Sequence, residues 1–255
     1  MSTAAKGRLY LVPAPLDFGC DHLAPLQNVM PLATIQVASQ LQHWICENAK
    51  STRAYLKRVG ELQPLTHALQ ALHIQELPRE VHKKGDHTGT FDARPMLAAA
   101  LQGKDIGLVS EAGMPAIADP GSSVVRAAHD LGLEVIPLTG PMSLMLALAA
   151  SGLNGQNFAF VGYLPQDPAG RAQRIRELES LALKTGQSQI FIETPYRNAA
   201  LLQALLQTLQ GDTRLALSCG LTLNAAWNFS AQANSWKKNR PIAPLDLPTV
   251  FCIGR

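Results

Sequence analysis

Short apolar runs alternate along the chain with longer stretches whose apolar residues recur at helical spacing. In the first half, "RLYLV", "WICE", "IGLVSE" and "LEVIPLTG" read as strands. Helices are predicted around "LAPLQNVMPLATIQVASQLQHW" and over "AKSTRAYLKRVG", "LTHALQALHIQ" and "DPGSSVVRAAHDLG". A further one covers "PMLAAALQGKD", with Pro95 near its start and Gly103 near its end. "REVHKKGDHTGTFDA" shows no period and reads as a polar loop holding His82 and His87. In the second half, helices "PMSLMLALAASG", "GRAQRIRELESLALKTG" and "NAALLQALLQTLQG" interleave with strands "FAFVGYLP" and "SQIFIE". "RLALSCGLTL" and "PTVFCIGR" close the chain as strands.

Strand–helix alternation implies α/β layers with mainly parallel strands, because parallel neighbours need a crossover connection. The last strands follow one another without an evident helix, so the second sheet is predicted to be mixed. The fold class expected is therefore two α/β domains, residues 1–138 and 139–255, divided where a strand ends near Leu138–Gly140 and the most apolar helix begins. That helix, "PMSLMLALAASGL", is too short to span a bilayer, and "MSTAAKGRLYLVPAP" contains no apolar signal-peptide core. Cys20, Cys46, Cys219 and Cys252 are far apart and form no C-x-x-C, so reduced thiols in a cytoplasmic protein are the expectation. Composition adds little: 47% hydrophobic and 16% charged residues describe a globular chain. A net charge of +3 permits an anionic partner without requiring one.

Several common sites are excluded. No two glycines stand two apart, so there is no G-x-G-x-x-G, and there is no G-x-x-x-x-G-K-[ST] phosphate loop. H-E-x-x-H, a Cys/His cluster and the G-x-S-x-G elbow are also missing, so no metal is expected. The distinctive residues sit elsewhere, at the ends of strands, where open α/β sheets bind ligands. "VPAPLDFG", "ENAKSTR", "SEAGMPAIADPG", "TGPMS" and "ETPYRN" each put kinked or polar residues where a scaffold needs none. Asp119-Pro120 and Thr194-Pro195 also read as an N-cap followed by proline at the first helical position. Capping leaves Glu111, Ala112, Gly113, Met114, Pro115 and Glu193 unexplained.

"VSEAGMPAIADPG", "PLTGPMSLMLALAASGL", "FAFVGYLP" and "IETPYRN", in this order, resemble the tetrapyrrole methylase superfamily of S-adenosylmethionine (SAM) methyltransferases. The branch they are most similar to is that of the bacterial small-subunit ribosomal RNA cytidine ribose 2′-O-methyltransferases. The resemblance implies SAM held in a cleft between two α/β domains, a homodimer, and RNA or the small ribosomal subunit as partner. It assigns cofactor contacts to Pro13, Ala14 and Pro15, to Glu111, Ala112 and Gly113, and to Ala118 and Asp119. Thr139, Gly140 and Ser143 form the turn into the second domain on this reading, and Tyr163 and Glu193 contribute from the second sheet. Glu47, Lys50 and Arg53 fall on the motif of that branch assigned to catalysis. Here the motif reads Glu47-Asn48-Ala49-Lys50, with asparagine and lysine for the family's second acid and arginine.

Methyl transfer from SAM is a direct displacement and depends chiefly on in-line positioning. A ribose hydroxyl gains from a positioned base, for which Glu47, Lys50 and Glu193 are candidates; Arg53 could lower the pKa of Lys50. RNA phosphates call for Lys and Arg. Lys50, Arg53, Lys57 and Arg58 are candidates, as are Arg171, Arg174 and Arg176, and "SWKKNR" joins a tryptophan to three cations. A small-molecule methyltransferase acting on a tetrapyrrole-like acceptor, and a SAM-binding protein without catalysis, remain open alternatives.

Overall fold

The computed structural model describes residues 5–84, 86, 91–239 and 241–255, with backbone alone for residues 82–84. The chain divides into two compact units, Met1–Gly19 with Leu23–Pro141 and Cys20–His22 with Met142–Arg255.

The first unit runs β1 (Leu9–Leu11), α1 (Leu26–Val29), α2 (Leu32–Gln40), β2 (His43–Cys46), α3 (Ala49–Leu62), β3 (His73–Glu76) and α4 (Arg79–Lys84). It continues with α5 (Ala98–Leu101), β4 (Ile106–Val109), α6 (Ser122–Asp130) and β5 (Val135–Pro137). The strands form one sheet in the order β3-β2-β4-β1-β5, and every pairing is parallel. Both faces are covered. Trp44, Tyr55, Leu56 and Val59 belong to the core on the α2–α3 side, and Leu9, Ile45, Ile106 and Val124 to the core on the other. Gly107 in β4 is fixed by its neighbour: a Cβ there would lie 2.6 Å from a ring carbon of Trp44.

The second unit runs α7 (Ser143–Ser151), β6 (Phe158–Tyr163), α8 (Pro168–Thr185), β7 (Ser188–Glu193) and α9 (Pro195–Thr208). It ends with β8 (Arg214–Cys219), β9 (Trp227–Gln232), α10 (Ala233–Asn239) and β10 (Thr249–Gly254). Its sheet is mixed as predicted: β6 and β7 are parallel, while β10 and β9 join antiparallel in the order β6-β7-β10-β8-β9.

Four local readings are corrected. The long helix predicted through "LAPLQNVMPLATIQVASQLQHW" is two helices, because Pro31 cannot donate to a continuing helix and instead stands at the N-cap of α2. "LTHALQALHIQ" is a single 3-10 turn, Leu69–Ala71, followed by β3, which extends the sheet beyond β2 and stacks the His73 ring 4.8 Å from that of His43. Within the expected polar loop, Arg79–Lys84 is helical; His87 and the His82 side chain lie outside the described residues. "WNFSAQ" is strand β9 and "ANSWKKN" is helix α10, both absent from the sequence reading. Trp236 is 1% exposed and its indole donates to the Leu215 carbonyl at 2.8 Å, so it is core and cannot stack on a base. Arg240 lies outside the described residues.

Candidate active site

In the first unit, β1 and β4 are neighbours, yet β1 leads to β2 beyond β4, and β4 leads to β5 beyond β1. The loops after these two strands therefore leave the sheet in crossing directions. At the crossing, Ala14 and Gly113 form an isolated antiparallel bridge whose two N–H···O bonds both measure 2.9 Å. Pro13, Ala14, Pro15 and Gly113 are buried there. The turn after β5 approaches the same loop: a Cβ on Gly140 would come 2.4 Å from the Pro13 Cβ. Thr34 donates to the Thr139 carbonyl at 2.7 Å and holds that turn.

Between Gly113 and α6 the backbone is strained, with Ala116 and Ala118 both at φ +65°, a left-handed conformation that costs an alanine ~1–2 kcal/mol. Asp119 does not cap α6, contrary to the capping reading. The N-cap is Gly121, and the carboxylate satisfying the helix start belongs to Asp86. Asp86 accepts from the N–H groups of Gly121 (2.9 Å) and Ser123 (2.8 Å) and from the hydroxyls of Ser122 and Ser123. Burial works to raise its pKa, but these bonds outweigh burial and hold it below the usual carboxylate range. Asp119 is thereby released from the helix. Burial, then the carboxylates of Glu47 and Glu111, push its pKa up to about 7. Three acids thus gather at the ends of β2 and β4.

The altered motif forms the start of the helix after β2. Asn48 is the N-cap of α3, its side chain accepting from Lys50 N at 2.8 Å and Ser51 N at 3.2 Å. The Ser51 hydroxyl donates to Glu111 at 3.2 Å and so ties α3 to the β4 loop. A cavity of about 450 Å³ lies between α3, the β1 loop and the end of β4, with Lys50 in its lining. Arg53 is exposed and is not in that lining; its guanidinium is 3.5 Å from the Ala49 carbonyl of its own helix. Arg58, a candidate phosphate contact by sequence, is instead a structural clamp. It donates to both carboxylate oxygens of buried Asp17, at 3.1 and 2.9 Å, and to the Ala24 carbonyl at 2.7 Å. Lys57 is exposed on the same helix.

In the second unit, Ser143 opens α7 and Tyr163, 56% exposed, closes β6. Glu193 is buried at the end of β7. One of its oxygens accepts from the N–H and hydroxyl of Thr194 and from Arg197 at 2.7 Å. Glu193 therefore anchors the start of α9, a reason for that acid which the sequence did not reveal. Of the arginines on α8, Arg174 pairs with Glu177 at 3.2 Å and Arg176 is exposed.

The family model described as "Tetrapyrrole (Corrin/Porphyrin) Methylases" matches residues 35–225. The chain belongs to the tetrapyrrole methylase family. Among curated relatives of this family member, the "Ribosomal RNA small subunit methyltransferase I" of Mesorhizobium japonicum is 33% identical over 215 residues, covering 84% of this chain and 63% of the relative. The protein of the same name from Xylella fastidiosa is 32% identical, over 85% of this chain and 68% of its own length. The match thus spans less than two thirds of the Mesorhizobium protein. Among solved structures, "the methyltransferase CobJ" is similar in fold, with a TM-score of 0.55 at 17% identity over 98% of this chain and 94% of that one.

Proposed function

We propose that this tetrapyrrole methylase family member is a SAM-dependent methyltransferase acting on RNA, with a ribose 2′-oxygen of the small-subunit ribosomal RNA as acceptor. The names of the relatives support the acceptor class. The observation that carries the cofactor reading is the crossing of the β1 and β4 loops beside three carboxylates, one of which, Asp119, is pushed up to about 7 by burial and by Glu47 and Glu111. Bridged backbone suits an uncharged ring and ribose, and converging acids suit a cation. Bound SAM would supply a methyl group activated by its sulfonium. Pro13, Ala14, Pro15, Glu111, Ala112, Gly113, Ala118, Asp119, Thr139 and Gly140 of the first unit would hold it.

The chain's own task is to position the acceptor and take its proton. Glu47, one of the three gathered acids, takes the proton better than Glu193, whose carboxylate oxygen already has three donors, and Lys50, exposed in the cavity lining, is placed to position the acceptor. Arg53 serves as an exposed phosphate contact. Ribosomal RNA as substrate accords with a cytoplasmic location, and the family resemblance adds a homodimer, which sedimentation would test.

Calorimetry with SAM and with its uncharged demethylated product tests the cofactor; SAM is expected to bind the more tightly. Transfer of labelled methyl to small subunits lacking ribose methylation, mapped by mass spectrometry, tests the acceptor. Absence of SAM binding would end the reading. SAM binding without transfer to any RNA would move it to a small-molecule acceptor or a non-catalytic SAM binder.

A further inference from the structure

We propose that the cavity between α3 and the ends of β1 and β4 is a pocket for a single heteroaromatic base, the base of the acceptor nucleotide, with Ser110 and Tyr55 reading its polar edge. The acceptor assignment rests on the RNA methyltransferase reading. The cavity lies wholly within the first unit, and its volume of about 450 Å³ is that of a small-ligand site.

Its wall is unusual in one respect. Ser110 (5% exposed) and Tyr55 (6% exposed) both line it, and neither hydroxyl has a hydrogen-bond partner among the described residues. Buried hydroxyls are nearly always paired, because an unpaired one loses its water without compensation. The protein leaves both hydroxyls unpaired, so a partner can arrive with whatever fills the cavity. Burial raises the Tyr55 pKa far above its ordinary value, so its hydroxyl stays neutral and can both donate and accept.

The remaining lining selects the class of occupant. Arg58 and Asp17 neutralise each other at 2.9 Å, so they present a balanced pair to the interior of the cavity. Phe18 and Leu23 contribute apolar surface, 48% and 58% exposed, that suits the faces of a flat ring. Lys50, exposed in the same lining, can meet a phosphate attached to that ring. A neutral ring with polar edges, carried on a phosphate, is a nucleotide base displaced from its stack, which is how proteins read single-stranded RNA. The adenine of SAM has the same ring chemistry, and the experiment separates the two sources.

The variants are Ser110→Ala and Tyr55→Phe, each removing one hydroxyl. Because neither hydroxyl is paired, both variants should melt at or above the temperature of the parent; a structural role would lower it. SAM affinity is measured by calorimetry. Affinity for the four nucleoside 5′-monophosphates is measured by NMR titration, and KM and kcat with RNA by methyl transfer. The expected result is a KM for RNA, and a Kd for the preferred monophosphate, raised about fivefold or more in each variant, with SAM affinity within about twofold of the parent. Weakened SAM binding with unchanged acceptor binding would overturn the assignment and give the cavity to adenine. Unchanged affinity for everything, or no monophosphate bound by the parent at millimolar concentration, would overturn the pocket itself. Monophosphate binding lost in the variants, in a protein that methylates no RNA, would uphold the pocket while the RNA methyltransferase reading fails.

Discussion

Asp119→Asn is expected to stabilise the ligand-free protein at pH 8 and to leave it almost unchanged at pH 4. Asp119 is half-buried, and burial, Glu47 and Glu111 raise its pKa from 3.8 to about 7. At about 1.4 kcal/mol per pH unit that rise corresponds to about 4 kcal/mol. Solvent screening at a partly exposed carboxyl reduces it to about 1–2 kcal/mol. Since the folded-state value lies above the unfolded one, the folded chain keeps a proton that the unfolded chain has already lost. The contribution to stability is therefore full below pH 3.8, declines as the pH rises through the interval, and is gone above about 7. Asparagine has no proton to lose, so the variant's advantage should grow from near zero at pH 4 to a plateau above pH 7. Paired thermal melts across this range should show a difference of about 2–6 °C at pH 8. Glu47→Gln or Glu111→Gln in the parent should shrink the advantage by weakening the repulsion. An advantage equal at both ends, or largest in acid, would refute the account of the three gathered acids.

Other outcomes follow from the same site. SAM affinity should rise from pH 6 to pH 8 with proton release, because a cation favours the charged form of Asp119; calorimetry on Asp119→Asn should show that slope abolished. Gly140→Ala forces the β1 loop away from a Cβ that would sit 2.4 Å from Pro13. It should cost about 1–3 kcal/mol and weaken SAM binding, as read by melts and calorimetry. Asp86→Ala leaves two buried N–H groups and two hydroxyls of the α6 start without their acceptor. It should lower stability by about 2–4 kcal/mol in denaturant titrations at neutral pH, and the parent should approach the variant as acid protonates Asp86.

Strand ends were the most legible part of the sequence, and the reason is chemical. "SEAG" and "ETPY" put acids and kinks directly after apolar runs, and the structure places both segments at strand ends. What the acids do there was less legible, because their partners are remote or of ambiguous type. Asp119 looked like an N-cap because proline follows it, yet the cap comes from Asp86, 35 residues before the first N–H it satisfies. Nothing near either residue announces that exchange. Glu193 stood out as an unexplained acid, and its partner Arg197 lies one helical turn on, a spacing that was visible but equally consistent with a solvated pair. β9 could have been found: Trp227, Phe229 and Ala231 alternate with polar residues at the strand period. β3 could not, since "HIQE" is exposed at the sheet edge and carries no alternation to separate it from the helical pattern before it.

The loop between β4 and α6 shows why a helix start is an insufficient account of this segment. A cap needs one acceptor beside the first N–H groups, and Asp86 already supplies it. The chain nevertheless holds Ala116 and Ala118 in a conformation that glycine would adopt at lower cost. Strain of that kind persists where surrounding structure over-determines it. The bridge from Gly113 to Ala14 fixes one end, and the Asp86 contacts to Gly121 and Ser123 fix the other. Between these anchors the loop carries Asp119 into the field of Glu47 and Glu111. Gathering like charges destabilises the folded chain by itself, so the arrangement makes physical sense only if a positive charge is brought to it. That requirement links the strained loop, the displaced cap and the raised pKa in one explanation, which a structural role for the loop does not supply.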